Sequence, residues 1–79
     1  MTEQTVRRVL TEHARLDADA QTIAVDADLH AAGMSSHASV NVMLGLEDEL
    51  DIEFPDEMLN KQTFSSIASI IAAVDSLAG

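Results

Sequence analysis

The sequence predicts an all-α fold, a small antiparallel bundle of three longer helices plus one short helix. Three observations lead there. Apolar residues recur at helical spacing in three stretches. No segment alternates with the period of two that a strand face needs. Helix breakers are sparse, with one proline and three glycines in 79 residues. That length predicts a single domain over residues 1–79 with one core. Folding at this size buries about 60% of the unfolded chain's surface and leaves little room for a catalytic cleft beside the core.

The first helix is expected from about Glu3 to Leu16. There Val6, Val9, Leu10, His13 and Ala14 fall at i, i+3, i+4, i+7 and i+8 and make one apolar stripe, with Arg7, Arg8, Glu12 and Arg15 on the other faces. A long connection follows from Asp17 to Asp28, with Ile23, Val25 and Leu29 as its expected anchors to the core.

The second helix is expected to start at Ser35 or Ser36 and to reach Leu50, with Gly33 supplying the turn before it. A serine suits the N-cap because its oxygen accepts an otherwise orphan backbone N–H. Val40, Met43, Leu44, Leu46 and Leu50 are the expected buried face, each worth roughly 1.5–3 kcal/mol if fully buried. Gly45 in mid-helix costs about 1 kcal/mol relative to alanine, which suggests close packing against a neighbour. Pro55 is expected to open the short third helix, Asp56 to Asn60, with acids in its first turn. Thr63 is expected to cap the fourth, whose stripe is Phe64, Ile67, Ile70, Ile71, Val74 and Leu77.

Fourteen acidic residues face four basic ones, a formal net charge of -10. Between Ser36 and Glu57 lie Glu47, Asp48, Glu49, Asp51, Glu53, Asp56 and Glu57 and no cation. Such a surface repels nucleic acid and anionic lipid, attracts basic protein surfaces and favours a monomer in isolation. The plainer reading is a solvated face that aids solubility. Glu47, Asp48 and Glu49, however, crowd the C-terminal turns of the second helix, where the macrodipole disfavours each by about 0.3–1 kcal/mol. A local rule broken repeatedly in one place points to a docking face.

Other chemistries find little support. There is no cysteine, hence no disulfide framework, thiolate metal site or cysteine nucleophile, which is compatible with the cytoplasm. No signal-type apolar region opens the chain, and the longest apolar run, Ile67 to Val74, is broken by Ser69 and falls far short of the ~20 residues a membrane span needs. Asp17-x-Asp19-x-Gln21 has the look of a calcium loop, but Thr22 stands where glycine is required and Asp28 where the closing glutamate belongs. His13, His30 and His37 lack metal-ligand spacing. No nucleophile, base and orienting group come together, so no enzyme is expected.

The region Asp28-Leu-His-Ala-Ala-Gly-Met-Ser-Ser-His-Ala-Ser-Val-Asn-Val-Met-Leu-Gly-Leu-Glu-Asp-Glu-Leu-Asp-Ile-Glu-Phe-Pro-Asp-Glu resembles the acyl carrier protein family, and the likeness continues through Lys61-Gln-Thr-Phe-Ser-Ser-Ile-Ala-Ser-Ile to Ile71. The family's serine motif, its helix ending in acids and its Asp-Ile-x-Ile/Phe-Pro-Asp-Glu segment align from Ser36 to Pro55 without a gap. The resemblance implies an acyl-carrier-protein-like bundle. It also implies that a phosphopantetheinyl transferase esterifies Ser36 with the 4′-phosphopantetheine arm of coenzyme A, and that cargo rides as a thioester. A phosphodiester at a helix N-terminus would meet unpaired N–H groups and the positive dipole end.

Two positions depart from the common motif. Ser35 replaces the usual aspartate and His37 the usual leucine. Ala31-Ala-Gly-Met-Ser-Ser-His-Ala-Ser-Val is instead similar to the stand-alone aminoacyl carrier proteins. That likeness implies a small amino acid, glycine or alanine, as cargo, loaded by an amino acid:carrier protein ligase resembling a truncated seryl-tRNA synthetase. Fatty acid or polyketide intermediates are the alternative cargo, with Met43, Leu46 and Phe64 filling any space for a chain. An unmodified acidic interaction module is the alternative of another class. In the carrier reading Met34, Ser35, His37, Val40, Met43, Leu44, Glu47 and Asp48 form the docking face, the acids steering encounter. His37 is read first as a plain exposed helix residue.

Overall fold

The computed structural model describes residues 2–14, 16–17 and 19–78, Ala78 by its backbone. Three α-helices form, α1 Thr2–His13, α2 Ser36–Leu50 and α3 Ile67–Ala78, with a 3-10 turn at Asp56–Met58 between the last two. There is no strand among the described residues. The helix α1 packs on both α2 and α3, and these two touch each other far less. Their remaining gap is filled from the connections, by Leu29, Phe54 and Phe64.

In α1, Glu3 accepts a hydrogen bond from Arg7 Nε at 3.0 Å, one turn on, and Val6, Val9 and Leu10 are buried. The helix stops at His13, short of the expected Leu16, although the Ala14 N–H still donates to Leu10 O. Leu16 packs on the core from outside the helix, and Arg15 lies outside the described residues. His13 does not join the apolar stripe. It is exposed at the edge of α1 with its ring beside Gly45.

Packing against α1 corrects the expected buried face of α2. Ala38, Val42 and Leu46, four residues apart, are buried, whereas Val40 is 50% and Leu44 53% exposed. At about 100° per residue, Val40 and Leu44 must face away once Val42 and Leu46 face in. Met43 and Leu50 are half-buried. Gly45 stands where α1 comes nearest. A Cβ there would lie 2.9 Å from Val9 Cγ1 and 3.0 Å from His13 Cδ2.

The helix α2 ends in a left-handed residue, Asp51 (φ 53°), whose N–H bonds Glu47 O. The expected third helix is only the 3-10 turn, with Pro55 just before it rather than inside it. Thr63 does not cap the last helix. Its N–H donates to Asn60 Oδ1, Phe64 lies in a turn, and the cap is Ser66, whose Oγ accepts the Ser69 N–H at 3.1 Å. Phe64 is spent on the core instead, its ring centroid 5.5 Å from that of Phe54 at a tilt of 57°.

The connection from α1 to α2 is pinned mainly through its backbone. Arg7, expected on an outer face, turns inward and donates Nη1 to the carbonyls of Ala20 (3.1 Å) and Ile23 (2.7 Å). Leu29 is fully buried and its N–H donates to Ser65 O at 2.8 Å. Val25 is half-exposed by its side chain and anchors through its carbonyl, which accepts the Ala68 N–H. The acids of this stretch brace turns. Asp19 Oδ1 accepts the Gln21 N–H, and Asp28 Oδ1 accepts those of His30 and Ala31. Among the described residues, no cluster of three or more His, Cys, Asp or Glu could hold a metal.

Gly45→Leu is expected to destabilise the fold by about 1–3 kcal/mol through overpacking against Val9, measured as a lower denaturant midpoint.

Candidate functional site

The adjacent serines have different jobs. Ser35 is extended (φ -80°, ψ 167°) and is the N-cap of α2, its Oγ accepting the Ala38 N–H at 3.1 Å. Ser36 is the first helical residue, so its side chain is not needed for the cap. It is exposed, and its Oγ makes no hydrogen bond to the described residues; the Ser39 Oγ donates to its carbonyl instead. The N–H groups of Ser36 and His37 take no part in capping, so the first turn offers open donors beside that hydroxyl.

The pedestal beneath Ser36 is a wound turn. Ala32 N–H bonds Asp28 O, Gly33 N–H bonds His30 O and Met34 N–H bonds Leu29 O. Gly33 has φ 112°, and a Cβ there would meet Asp17 Oδ2 at 3.0 Å, so both its backbone and its surroundings require glycine. Met34, expected on a docking face, is buried under the turn.

A cleft of ≈ 430 Å³ opens beside Ser36. Val40, Met43, Leu59 and Phe64 form its apolar wall, while His30, Ser36, Ser39, Asn60 and Lys61 stand at its polar edge. From the sequence Ser36 was expected as the attachment point, Val40 and Met43 on a docking face, and Met43 and Phe64 as fillers of any space for a chain; their meeting in one cleft, and the part of Leu59, Asn60 and Lys61 in it, were not foreseen. Leu59, Asn60 and Lys61 come from a turn whose approach no periodicity encodes. On the other side of the α2 N-terminus a second, more polar depression is lined by His13, Ser35, His37 and Asn41 among others, and His37 is exposed there.

The expected acidic docking residues separate. Glu47 Oε2 accepts the Phe54 N–H at 2.8 Å, which fixes the chain as it leaves α2. Glu49 receives two N–H groups from Arg8, both at 2.9 Å. That hydrogen bonding, and then the opposite charge of the partner, hold the Glu49 carboxyl below and the Arg8 guanidinium above their usual ranges. The pair's stabilisation is present above the ordinary carboxylate range and fades as pH falls through the lowered value; both groups are exposed, so it is small. Asp48 is exposed and has neither task. Leu44 and Val40 complete the outer face of α2.

A free hydroxyl at a helix start, open backbone donors and an apolar cleft make no catalytic set. They suit a domain that carries a group on a serine. The chain belongs to the family described as a phosphopantetheine attachment site, whose model matches residues 4–74, and so to the acyl-carrier-protein-like proteins, whose group is 4′-phosphopantetheine and which are not themselves enzymes.

It is 52% identical over 66 residues, 84% of this chain and 80% of the other, to an aminoacyl carrier protein of Agrobacterium fabrum. It superposes with TM-score 0.93 and 45% identity, over 98% of this chain and 100% of the other, on a chain in a crystal structure of an engineered Bradyrhizobium japonicum glycine:carrier protein ligase complexed with an Agrobacterium tumefaciens carrier protein and ATP. A solution structure from Agrobacterium tumefaciens matches at TM-score 0.74 and 47% identity, covering 94% of this chain and 89% of that one. No helix among the described residues is long and apolar enough to cross a membrane.

The residues fit the family's group. Ser36 Oγ is free to be esterified, the open N–H groups suit a phosphodiester, and the cleft wall can receive the apolar part of an arm. Ser35→Ala should lower stability by about 0.5–2 kcal/mol through loss of the cap. Ser36→Ala should leave the unfolding midpoint nearly unchanged, and chemical denaturation of the two variants checks the asymmetry.

Proposed function

We propose that the chain, folded as a single domain over residues 1–79, is a carrier whose Ser36 bears 4′-phosphopantetheine and holds a small amino acid, glycine or alanine. The observation that carries this reading is the free Ser36 hydroxyl at the first position of α2, opening onto the apolar cleft. The likeness to an aminoacyl carrier protein supports the class of cargo.

In the attachment step Ser36 Oγ would bond to the pantetheine-bearing phosphorus of the pyrophosphate of coenzyme A, the P–O bond to the nucleotide side would break, adenosine 3′,5′-bisphosphate would leave, and the hydroxyl proton would pass to a base of the phosphopantetheinyl transferase. The thiol so supplied would attack the carbonyl carbon of an aminoacyl adenylate, the acyl–phosphate bond would break, and AMP would leave as the thioester forms. A ligase resembling seryl-tRNA synthetase, which activates the amino acid with ATP, is the proposed loading enzyme. A need for ATP and coenzyme A at hand supports a cytoplasmic location.

Docking would use the outer face of α2. Val40 and Leu44 are exposed apolar contacts, Met43 lies at the cleft, and Ser35 and His37 flank the attachment point. Asp48 steers a basic partner. Glu47 and Met34 serve the same face indirectly, one by fixing the 52–54 segment and the other by supporting the turn beneath Ser36.

Incubation with coenzyme A and a broad-specificity phosphopantetheinyl transferase should add one phosphopantetheine at Ser36, read by intact mass and fragmentation, and Ser36→Ala should abolish it. An unmodified protein, both here and when isolated from its own cells, would leave an acidic interaction module. With the ligase, ATP and candidate acids, glycine or alanine should load; loading of fatty or polyketide acyl groups alone would overturn the cargo assignment. Asp48→Lys should slow association with the ligase about tenfold at low salt, and added salt should shrink the difference, measured by stopped-flow mixing.

A further inference from the structure

His30 has no role in the attachment chemistry, yet its half-buried ring stands between the two rims of the cleft. On one side Nδ1 lies 3.1 Å from the carbonyl oxygen of Met34, two residues before Ser36. On the other Nε2 lies 3.4 Å from the carbonyl oxygen of Lys61, in the segment that carries Leu59, Asn60 and Lys61 along the opposite rim. Both partners are carbonyl oxygens, which accept and never donate. A neutral imidazole has one N–H and can satisfy one of them; an imidazolium has two and can satisfy both. The longer contact to Lys61 has the length of a bond weakly made or unmade.

We propose that His30 is a positioning residue, a charge-sensitive clasp that sets the width of the cleft beside Ser36. With the ring neutral it holds one rim; with the ring charged it ties the pedestal of Ser36 to the 59–61 rim and narrows the cleft. What the clasp serves, the lodging of an arm on Ser36, rests on the carrier reading. The clasp itself concerns only the chain's own two rims.

Among the described residues, the charged groups near the ring include Asp28 on its own turn, whose Oδ1 accepts the His30 N–H, and Lys61 on the facing segment, which lines the same cleft. The cleft-lining residues from α2 are Ser36, Ser39, Val40 and Met43, and none carries a charge.

The test is heteronuclear NMR of the full, unmodified chain, titrated from about pH 8 to pH 5, where histidine side chains change charge. Backbone carbonyl and amide signals at residues 34–36 and 59–62, and methyl signals of Val40, Met43 and Leu59, should move along the same curve as the His30 ring. His30→Gln, which keeps a neutral donor, should lose that movement while retaining a folded spectrum. His37→Asn, which removes a histidine of the other depression, should keep it. The clasp is overturned if the rim signals do not follow the His30 ring, if they move equally in His30→Gln, or if His37→Asn abolishes the movement. Should His30→Gln not fold, the wild-type curves of the ring and the Lys61 carbonyl decide alone. Because no arm is present, an unmodifiable Ser36 would leave this result standing, and a failed titration would leave the attachment reading untouched.

Discussion

The position of the α2 N-terminus depends on how the long connection is pinned, and the pin is Leu29. Its side chain is fully buried, and its peptide is bonded on both sides, N–H to Ser65 O and carbonyl to the Met34 N–H. The first bond ties the connection to the segment ahead of α3, and the second closes the turn on which Ser35 and Ser36 stand. Arg7 secures the earlier part of the connection through two carbonyls. A loop of this length is costly to order without such points of attachment. Here Leu29, with Ala20, Met34 and the half-buried Leu16 and Ile23 beside it in the core, and a few backbone bonds suffice, because α1 presents a wall shared by α2 and α3.

The acidity of the chain is divided between internal and external work. Glu47 is consumed in fixing Phe54, which in turn packs on Phe64 and so supports the wall of the cleft. Glu49 is matched with Arg8 of α1, which partly offsets the unfavourable placement of acids at the C-terminal end of α2. Asp48 is left to the solvent. The excess of carboxylates near the end of α2 is therefore part scaffold and part surface, and the surface part lies beside the exposed Val40 and Leu44.

Of the two serines, one caps the helix and the other is left free. If Ser36 itself capped α2, esterification would withdraw a hydrogen bond from the helix it stands on. With Ser35 as the cap, the next hydroxyl can change its covalent state at little cost to the fold. The aspartate common at this position in related carriers can cap in the same way, so replacing it with serine keeps the cap and removes a negative charge from beside the site.

Much of this was legible in the sequence. The 3.6-residue stripes of α1 and α3, the serine pair ahead of α2, the close approach at Gly45 and the run of residues from Asp28 to Ile71 together determined the helical class and the family, and singled out Ser36 as the serine proposed to carry the arm. These signals are local, or linear in the chain. Tertiary structure decided the rest. On α2 the expected inward face was right at Leu46 and, by half, at Met43 and Leu50, but wrong at Val40 and Leu44; apolar residues surround this helix, and only the place of α1 selects Ala38 and Val42 over them. That the fourth helix begins at Ile67 follows from Phe64 being spent on Phe54. The rims of the cleft, with His30 reaching both Met34 and Lys61, join residues far apart in the chain. No spacing rule records such a meeting, since it is produced by the packing of connections and not by the period of any one element.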